Sequence, residues 1–165
     1  MAQTYEPIQT TTLTTAETTI NFNTITGAYT DLVLVAYLQM SSSGNTVYST
    51  VNNAAANYLI NYISGGTQGP SAGRGTDITF GYGLGGWAYG YSSGRFTIVA
   101  HFLNYSNTTT HKTILSNWAD ASANNEMFVN IYPSTTAISS IQLKNNGTQT
   151  FNVGSQVTLY GITKA

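Results

Sequence analysis

The sequence predicts an all-β protein, an antiparallel β-sandwich of jelly-roll-like type with about eight strands. Three observations predict it. Apolar and polar residues alternate with period two along most of the chain. Thr, Asn, Gly, Val, Ile and Tyr dominate, which are strand and turn formers. Turn clusters separate the alternating runs at short spacing, and no helical periodicity intervenes. The 165 residues fit one domain over 1–165, and a chain of this size removes roughly 70% of its unfolded surface from water without a metal or disulfide.

The elements follow in order. Glu6 to Thr14 is the first expected strand, preceded by an extended segment over residues 1–7. Glu17 to Ile25 is the second, with Ile20, Phe22 and Ile25 as its apolar positions. Tyr29 to Gln39 alternates most clearly: Leu32, Leu34, Ala36 and Leu38 share one face, and Val33, Val35 and Tyr37 the other. Apolar residues on both faces predict a central strand covered on each side. Ser41 to Asn45 is a turn cluster, and Thr46 to Val51 a strand. Asn52 to Asn57 suits a short helical turn, and Tyr58 to Ile63 alternates again. Residues 65–94 form an excursion rich in Gly and aromatic rings, with one short strand at Asp77 to Tyr82. Arg95 to Tyr105 and His111 to Trp118 pair through a hairpin loop at Ser106-Asn-Thr-Thr109. Strands follow at Met127 to Tyr132, Ile138 to Leu143, Thr148 to Val153 and Gln156 to Ile162, with Lys144-Asn-Asn-Gly147 as a type I′ hairpin turn.

Charge narrows the function. Charged residues make up 7% of the chain and hydrophobic residues 41%, against about 25% charged in an ordinary soluble domain. Solubility then rests on uncharged polar side chains, which can be buried in an assembly at little desolvation cost. A net charge of -1, with Arg74, Arg95, Lys112, Lys144 and Lys164 scattered, provides no basic patch for nucleic acid. No run approaches the ~20 apolar residues of a membrane span, and the first residues lack the pattern of a secretory leader. Neither nucleic acid nor membrane is an expected partner.

Catalysis has little to draw on. Cysteine is absent, which removes thiolate metal sites and cysteine nucleophiles. His101 lies mid-strand and reads as a hydrogen-bonded packing residue, and His111 as exposed at a hairpin. No spacing matches a histidine metal motif. The carboxylates Glu6, Glu17, Asp31, Asp77, Asp120 and Glu126 are far apart, and nothing selects a glycosidase pair among them. Asp31 reads as a turn residue opening the Leu32 strand. Gly81-Tyr-Gly-Leu-Gly-Gly86 has the letters of a dinucleotide fingerprint but not the strand and helix that the motif requires. Three Asn-x-Ser/Thr sequons, at Asn104, Asn107 and Asn146, are chance matches in an Asn- and Thr-rich chain. No enzyme activity, catalytic residue, cofactor or metal is expected. The candidate contact surface consists of Tyr5, Pro7, Tyr82, Trp87, Tyr89 and Tyr91, because aromatic rings bring large contact area at low entropy cost.

Three stretches carry a resemblance. They are Thr19-Ile-Asn-Phe-Asn-Thr-Ile25 leading to Tyr29-Thr-Asp-Leu-Val-Leu-Val35; Asn104-Tyr-Ser-Asn-Thr-Thr109 before Lys112-Thr113; and Ala137-Ile-Ser-Ser-Ile141 with Phe151, Gly154 and Val157-Thr-Leu-Tyr-Gly-Ile162. Together they resemble small virion structural proteins of tailed bacteriophages, over most of the chain outside residues 65–94. The resemblance implies a jelly-roll-like domain, commonly trimeric, used as head decoration or in tail fibres, and it transfers no functional residue. The chain starts almost directly into its first strand, ends just past its last, and contains no heptad or shaft repeat. These features favour a capsid decoration (cement) protein bound to the major capsid protein or another virion protein. A receptor-binding fibre or spike domain and a carbohydrate-binding module for a host-surface glycan are the alternatives. The expected location is the particle surface, after synthesis in the host cytoplasm.

Overall fold

The computed structural model describes residues 4–41, 45–54, 58–66, 69–78, 87–88, 94–120, 124–145 and 149–163. Among these residues the chain is all-β, and its strands form two antiparallel sheets. The strands are β1 (Tyr5–Thr12), β2 (Thr19–Phe22), β3 (Asp31–Gln39), β4 (Asn45–Val51), β5 (Tyr58–Gly65) and β6 (Ser71–Ile78), then β7 (Trp87–Ala88), β8 (Arg95–Leu103), β9 (Lys112–Asp120), β10 (Asn125–Tyr132), β11 (Ile141–Asn145) and β12 (Gln156–Ile162). The large sheet runs β1-β12-β3-β8-β9-β10-β5-β6 and the small one β2-β11-β4-β7.

The pairing is nested. β1 pairs β12, β2 pairs β11, β3 pairs β8 and β4 pairs β7, and successive pairs fall alternately in the large and the small sheet. A long antiparallel ribbon wrapped around a core gives this order, which is that of a jelly roll. The count differs from the expected eight because two hairpins are inserted. β5–β6 lies between β4 and β7, β9–β10 lies between β8 and β11, and both extend the large sheet beyond β8.

One core lies between the sheets. Leu32, Leu34, Ala36, Ile98, Ala100, Phe102, Val157 and Leu159 of the large sheet meet Phe22, Ile141 and Leu143 of the small one, all fully buried. Ring pairs extend it under the inserted hairpins. Phe96 meets Trp118 edge to face at 6.4 Å, and Tyr58 meets Tyr132 at 5.4 Å. Burial pushes the Tyr58 phenol up to about 12, while its oxygen accepts a hydrogen bond from the Val51 amide at 3.1 Å.

Several boundaries differ from the expected ones. β2 stops at Phe22 because Thr24 takes a positive φ of 59°, which no strand accommodates. Residues 52–53 form a turn with positive φ at both positions, closed by the Ala54 amide on the Val51 carbonyl at 3.0 Å, rather than a helical turn. The Asn52 side chain then binds Ala137 and Ser139 at 2.8 Å each. Residues 138–140 precede β11, and Phe151 forms only isolated bridges, to Glu17 and to Met40, in place of the expected strand at 148–153. The excursion contains regular pairing: β6 covers Ser71–Ile78, and β7 reaches β4. The expected strand at Asp77 to Tyr82 falls on β6 only at its start, and the rest of it lies outside the described residues. The Lys144–Gly147 turn also extends beyond them.

The expected loop at 106–109 is present. Asn107 Oδ1 accepts the amides of Thr109 and Thr110 at 2.7 and 2.9 Å, the local bonding that makes Asn a turn residue. Asp31 opens β3 as expected, and its carboxylate accepts the Asn104 amide across the sheet end. Tyr105 is fully buried beside this loop. Its hydroxyl donates to the Thr26 carbonyl and accepts from the Tyr29 amide at 3.3 Å.

Candidate interaction surface

Strand alternation sends every second residue of the large sheet away from the core. Register places those residues in rows across the strands. One row reads Tyr160, Val33, His101, Leu115, Val129 and Asn61, from β12 to β5. The adjacent row reads Thr158, Val35, Val99, Asn117, Met127 and Ile63. Between β12 and β5 neither row contains Asp, Glu, Lys or Arg. Arg74 lies beyond Asn61 on the edge strand β6, and Asp31 and Arg95 lie toward opposite ends of the sheet.

Most of the exposed residues in these two rows are apolar, Asn61 and Asn117 being the exceptions. Ile63 is 58% exposed, Met127 53%, Val129 43% and Leu115 40%. Of the nine exposed large hydrophobic residues among those described, all but Val153 belong to outward positions of the large sheet. Scattered exposed apolar residues require no explanation, but a contiguous set on one sheet face marks a contact site. A shallow groove of about 480 Å³ runs across it, lined in part by Ile63, Val99, Leu115, Met127 and Val129 around His101. His101 therefore points outward, partly buried between Val33 and Leu115, and its side chain makes no hydrogen bond among the described residues. This departs from the hydrogen-bonded packing role expected for it. His111 is exposed, as its place at the hairpin suggested.

β3 also departs from expectation. Its Leu32 face is buried in the core; on the opposite face Val33 is also buried, but Val35 is only partly covered and Tyr37 is 57% exposed.

The sequence-selected contact residues are dispersed. Tyr5 and Pro7 lie on edge strand β1, with the Tyr5 ring edge to face with Tyr160 at 6.3 Å. Pro7 sits at a register shift between Pro7 and Gln9. A residue without an N–H is tolerated on an edge and hinders further strand pairing there. Residues 5–7 are therefore held in the sheet by β12. Trp87 belongs to β7 of the small sheet, where its backbone pairs with Thr46. Tyr82, Tyr89 and Tyr91 lie outside the described residues. The structure does not bring Tyr5 and Pro7 together with Trp87. Sequence reasoning did not single out the outward residues of β8 to β10, among them Val99, Leu115 and Val129, because alternation alone does not record which side of a strand stays open.

A second cleft of about 510 Å³ lies at one end of the large sheet, lined by residues including Tyr37, Gln39, Arg95, Thr97 and Asp120. Asp120 is already engaged there, since its carboxylate accepts the Asn124 backbone amide at 3.0 Å and the Asn124 side-chain amide at 2.9 Å. Glu126 lies elsewhere, facing Trp118, whose Nε1 donates to it at 2.8 Å. Burial holds its pKa above the usual carboxylate range, against that hydrogen bond. Lys112 is buried, with its ammonium donating to the Thr110 and Thr135 carbonyls at 2.9 and 3.2 Å, and desolvation lowers its pKa. These groups fasten loops and strand ends and do not converge on one cavity. Comparison of the chain with protein-family profiles and with curated proteins gives no significant match.

Proposed function

We propose that the chain is a structural protein of tailed-bacteriophage particles, a decoration (cement) protein that binds the head shell as a homotrimer and stabilises it. The observation that carries this reading is the broad outward face of the large sheet, rich in exposed apolar residues and without charge across its central rows. Such a face is stable in water only at a cost, and a protein neighbour removes that cost. The 7% charge content points the same way, since permanent neighbours tolerate uncharged polar surface. The jelly-roll pairing and the residues that resemble phage virion proteins agree with it.

Shell stabilisation follows by mass action, because a ligand that binds only the assembled state favours that state by RT ln(1 + [L]/Kd). At a hundredfold excess over Kd this amounts to about 2.7 kcal/mol per site. The function needs no catalytic group, metal or cofactor. The test is cryo-electron microscopy of purified particles, with thermal melting of heads that bear or lack the protein. Density on the outer shell and a higher melting temperature with the protein are expected. Heads without this density, or with unchanged melting, would end the decoration reading.

The cleft at the sheet end favours one second reading, a glycan-binding fibre domain. Its exposed Tyr37 ring beside Gln39, Arg95 and Thr97 offers a stacking platform with polar neighbours. Glycan-array binding that disappears in Tyr37→Ala, together with density at the tail tip, would select it over decoration.

A further inference from the structure

We infer that the outward face of the large sheet is the surface through which copies of this chain associate, with a second copy of the chain as its occupant. The inference rests on the proposed virion assembly and names a face through which copies meet. A face that meets its own copy is isologous and joins chains in twos, so it does not itself close a trimer.

Three properties of the face identify a copy of itself as the partner. The first is charge. A partner chosen by electrostatics needs charges to read, and the two central rows offer none between β12 and β5. For a second copy the same property is an advantage, since no like charges meet when the face contacts an identical molecule.

The second is hydrogen-bonding character. The polar members of these rows are Asn61, Asn117, His101, Thr158 and the Tyr160 hydroxyl. Each type can both donate and accept. A face built for a different partner can hold groups that only donate or only accept, matched by the opposite type across the interface. A face that meets its own kind works best with groups that do both.

The third is size. Six strands at about 4.8 Å spacing and four outward rows about 6.7 Å apart make a face of roughly 770 Å² from β12 to β5. A stable interface of standard size covers about 800 Å² per partner. The face is thus as large as one complete interface. Its most exposed apolar residues, Ile63, Met127, Val129 and Leu115, cluster on β9, β10 and β5, toward the β5 side of the face.

The experiment is size-exclusion chromatography with light scattering on the full 17.6 kDa chain, at micromolar concentration and on dilution. The principal variant is Leu115→Glu combined with Val129→Lys. These positions are directly opposed between β9 and β10, so the isolated chain gains a cross-strand ion pair and its net charge is unchanged. In an interface the same pair would be buried, where desolvation offsets its attraction. A second variant, Ile63→Thr with Met127→Thr, introduces no charge and retains a good strand former. Circular dichroism and thermal melting verify that each variant is folded.

The wild type is expected to run at a multiple of the monomer mass. The charged variant is expected at monomer mass, and the Thr variant to dissociate at roughly tenfold higher concentration than the wild type. A wild-type dimer split by both variants would uphold this face and remove the trimer. A wild-type oligomer unchanged in both folded variants would overturn the face while leaving the virion reading in place. A wild type that is monomeric throughout would overturn both the face and the trimer. Failure of the virion reading itself registers separately, as absence of the protein from purified heads.

Discussion

Asn130 is the residue whose replacement tests the account of the core most directly. It lies on the inward side of β10, 1% exposed, paired with Ile114 of β9 and Ile60 of β5. Neither its Oδ1 nor its Nδ2 has a hydrogen-bond partner. A buried polar group left unsatisfied costs about 1–3 kcal/mol relative to its hydrated state. Two such atoms on one side chain do not add independently, so about 2 kcal/mol is the working figure for Asn130. Leu reproduces the branched outline of Asn with apolar atoms, and Asn130→Leu is therefore expected to stabilise the fold by about that amount. In a domain of this size the gain raises Tm by about 4–8 °C. Asn130→Val is the companion variant, smaller and a better strand former, for the case in which Leu overpacks. The measurement is reversible urea unfolding followed by circular dichroism, with thermal melting alongside. Ser116 is a second orphan on the same inward side, opposite Phe128 and so diagonal to Asn130. A cycle with Ser116→Ala shows whether the two share a bridging water, because a shared water makes the paired gain exceed the sum by more than about 0.5 kcal/mol. A loss of stability in both Asn130→Leu and Asn130→Val would refute the reasoning, since it would mean that the amide is satisfied within the core.

Three further outcomes are expected. Gly161→Ala should destabilise by about 1–3 kcal/mol in urea unfolding, because a Cβ there would overlap the Tyr29 ring. Tyr105→Phe should cost about 1–3 kcal/mol in the same assay, since the Thr26 carbonyl and the Tyr29 amide both lose the hydroxyl. Glu126→Gln should raise stability at neutral pH and flatten its pH dependence. The Glu126 pKa is raised in the folded state by burial, so the folded chain binds more protons than the unfolded one as pH rises through the carboxylate range. Its contribution is full below the unfolded pKa and is lost as pH climbs through the folded one. Gln retains an acceptor for Trp118 Nε1, and urea midpoints measured from pH 3.5 to 7.5 would contradict the assignment if wild type and variant ran parallel.

Much of the sandwich was legible because its strands obey one rule. Inward positions of β3 and β8 alternate without a break, and their buried residues are the ones the pattern selects: Leu32, Leu34, Ala36 and Leu38 beside Phe96, Ile98, Ala100 and Phe102. The misses have local causes. Thr24 and Asn52 adopt positive φ, which Thr in particular gives little reason to expect. Phe151 looks like a strand residue but packs fully buried within a connection bridged to Glu17 and Met40. The nested pairing depends on contacts between residues such as Tyr5 and Ile162, and no local pattern records that distance.

The outward face was illegible for a different reason, and β3 shows it best. Val33, Val35 and Tyr37 led to the expectation of cover on both sides, yet one folded chain buries the Leu32 side and Val33 and leaves Val35 partly open and Tyr37 exposed. Hydrophobic alternation reports that a residue is destined for burial and is silent on which chain buries it. Val99, Leu115 and Val129 carry the same pattern on the neighbouring strands, in register with that side of β3. On the proposed self-association, the second layer predicted for β3 is supplied by another copy. The expectation that fails within one chain then holds in the assembly, and the Leu115→Glu/Val129→Lys experiment decides between a misread pattern and a quaternary one.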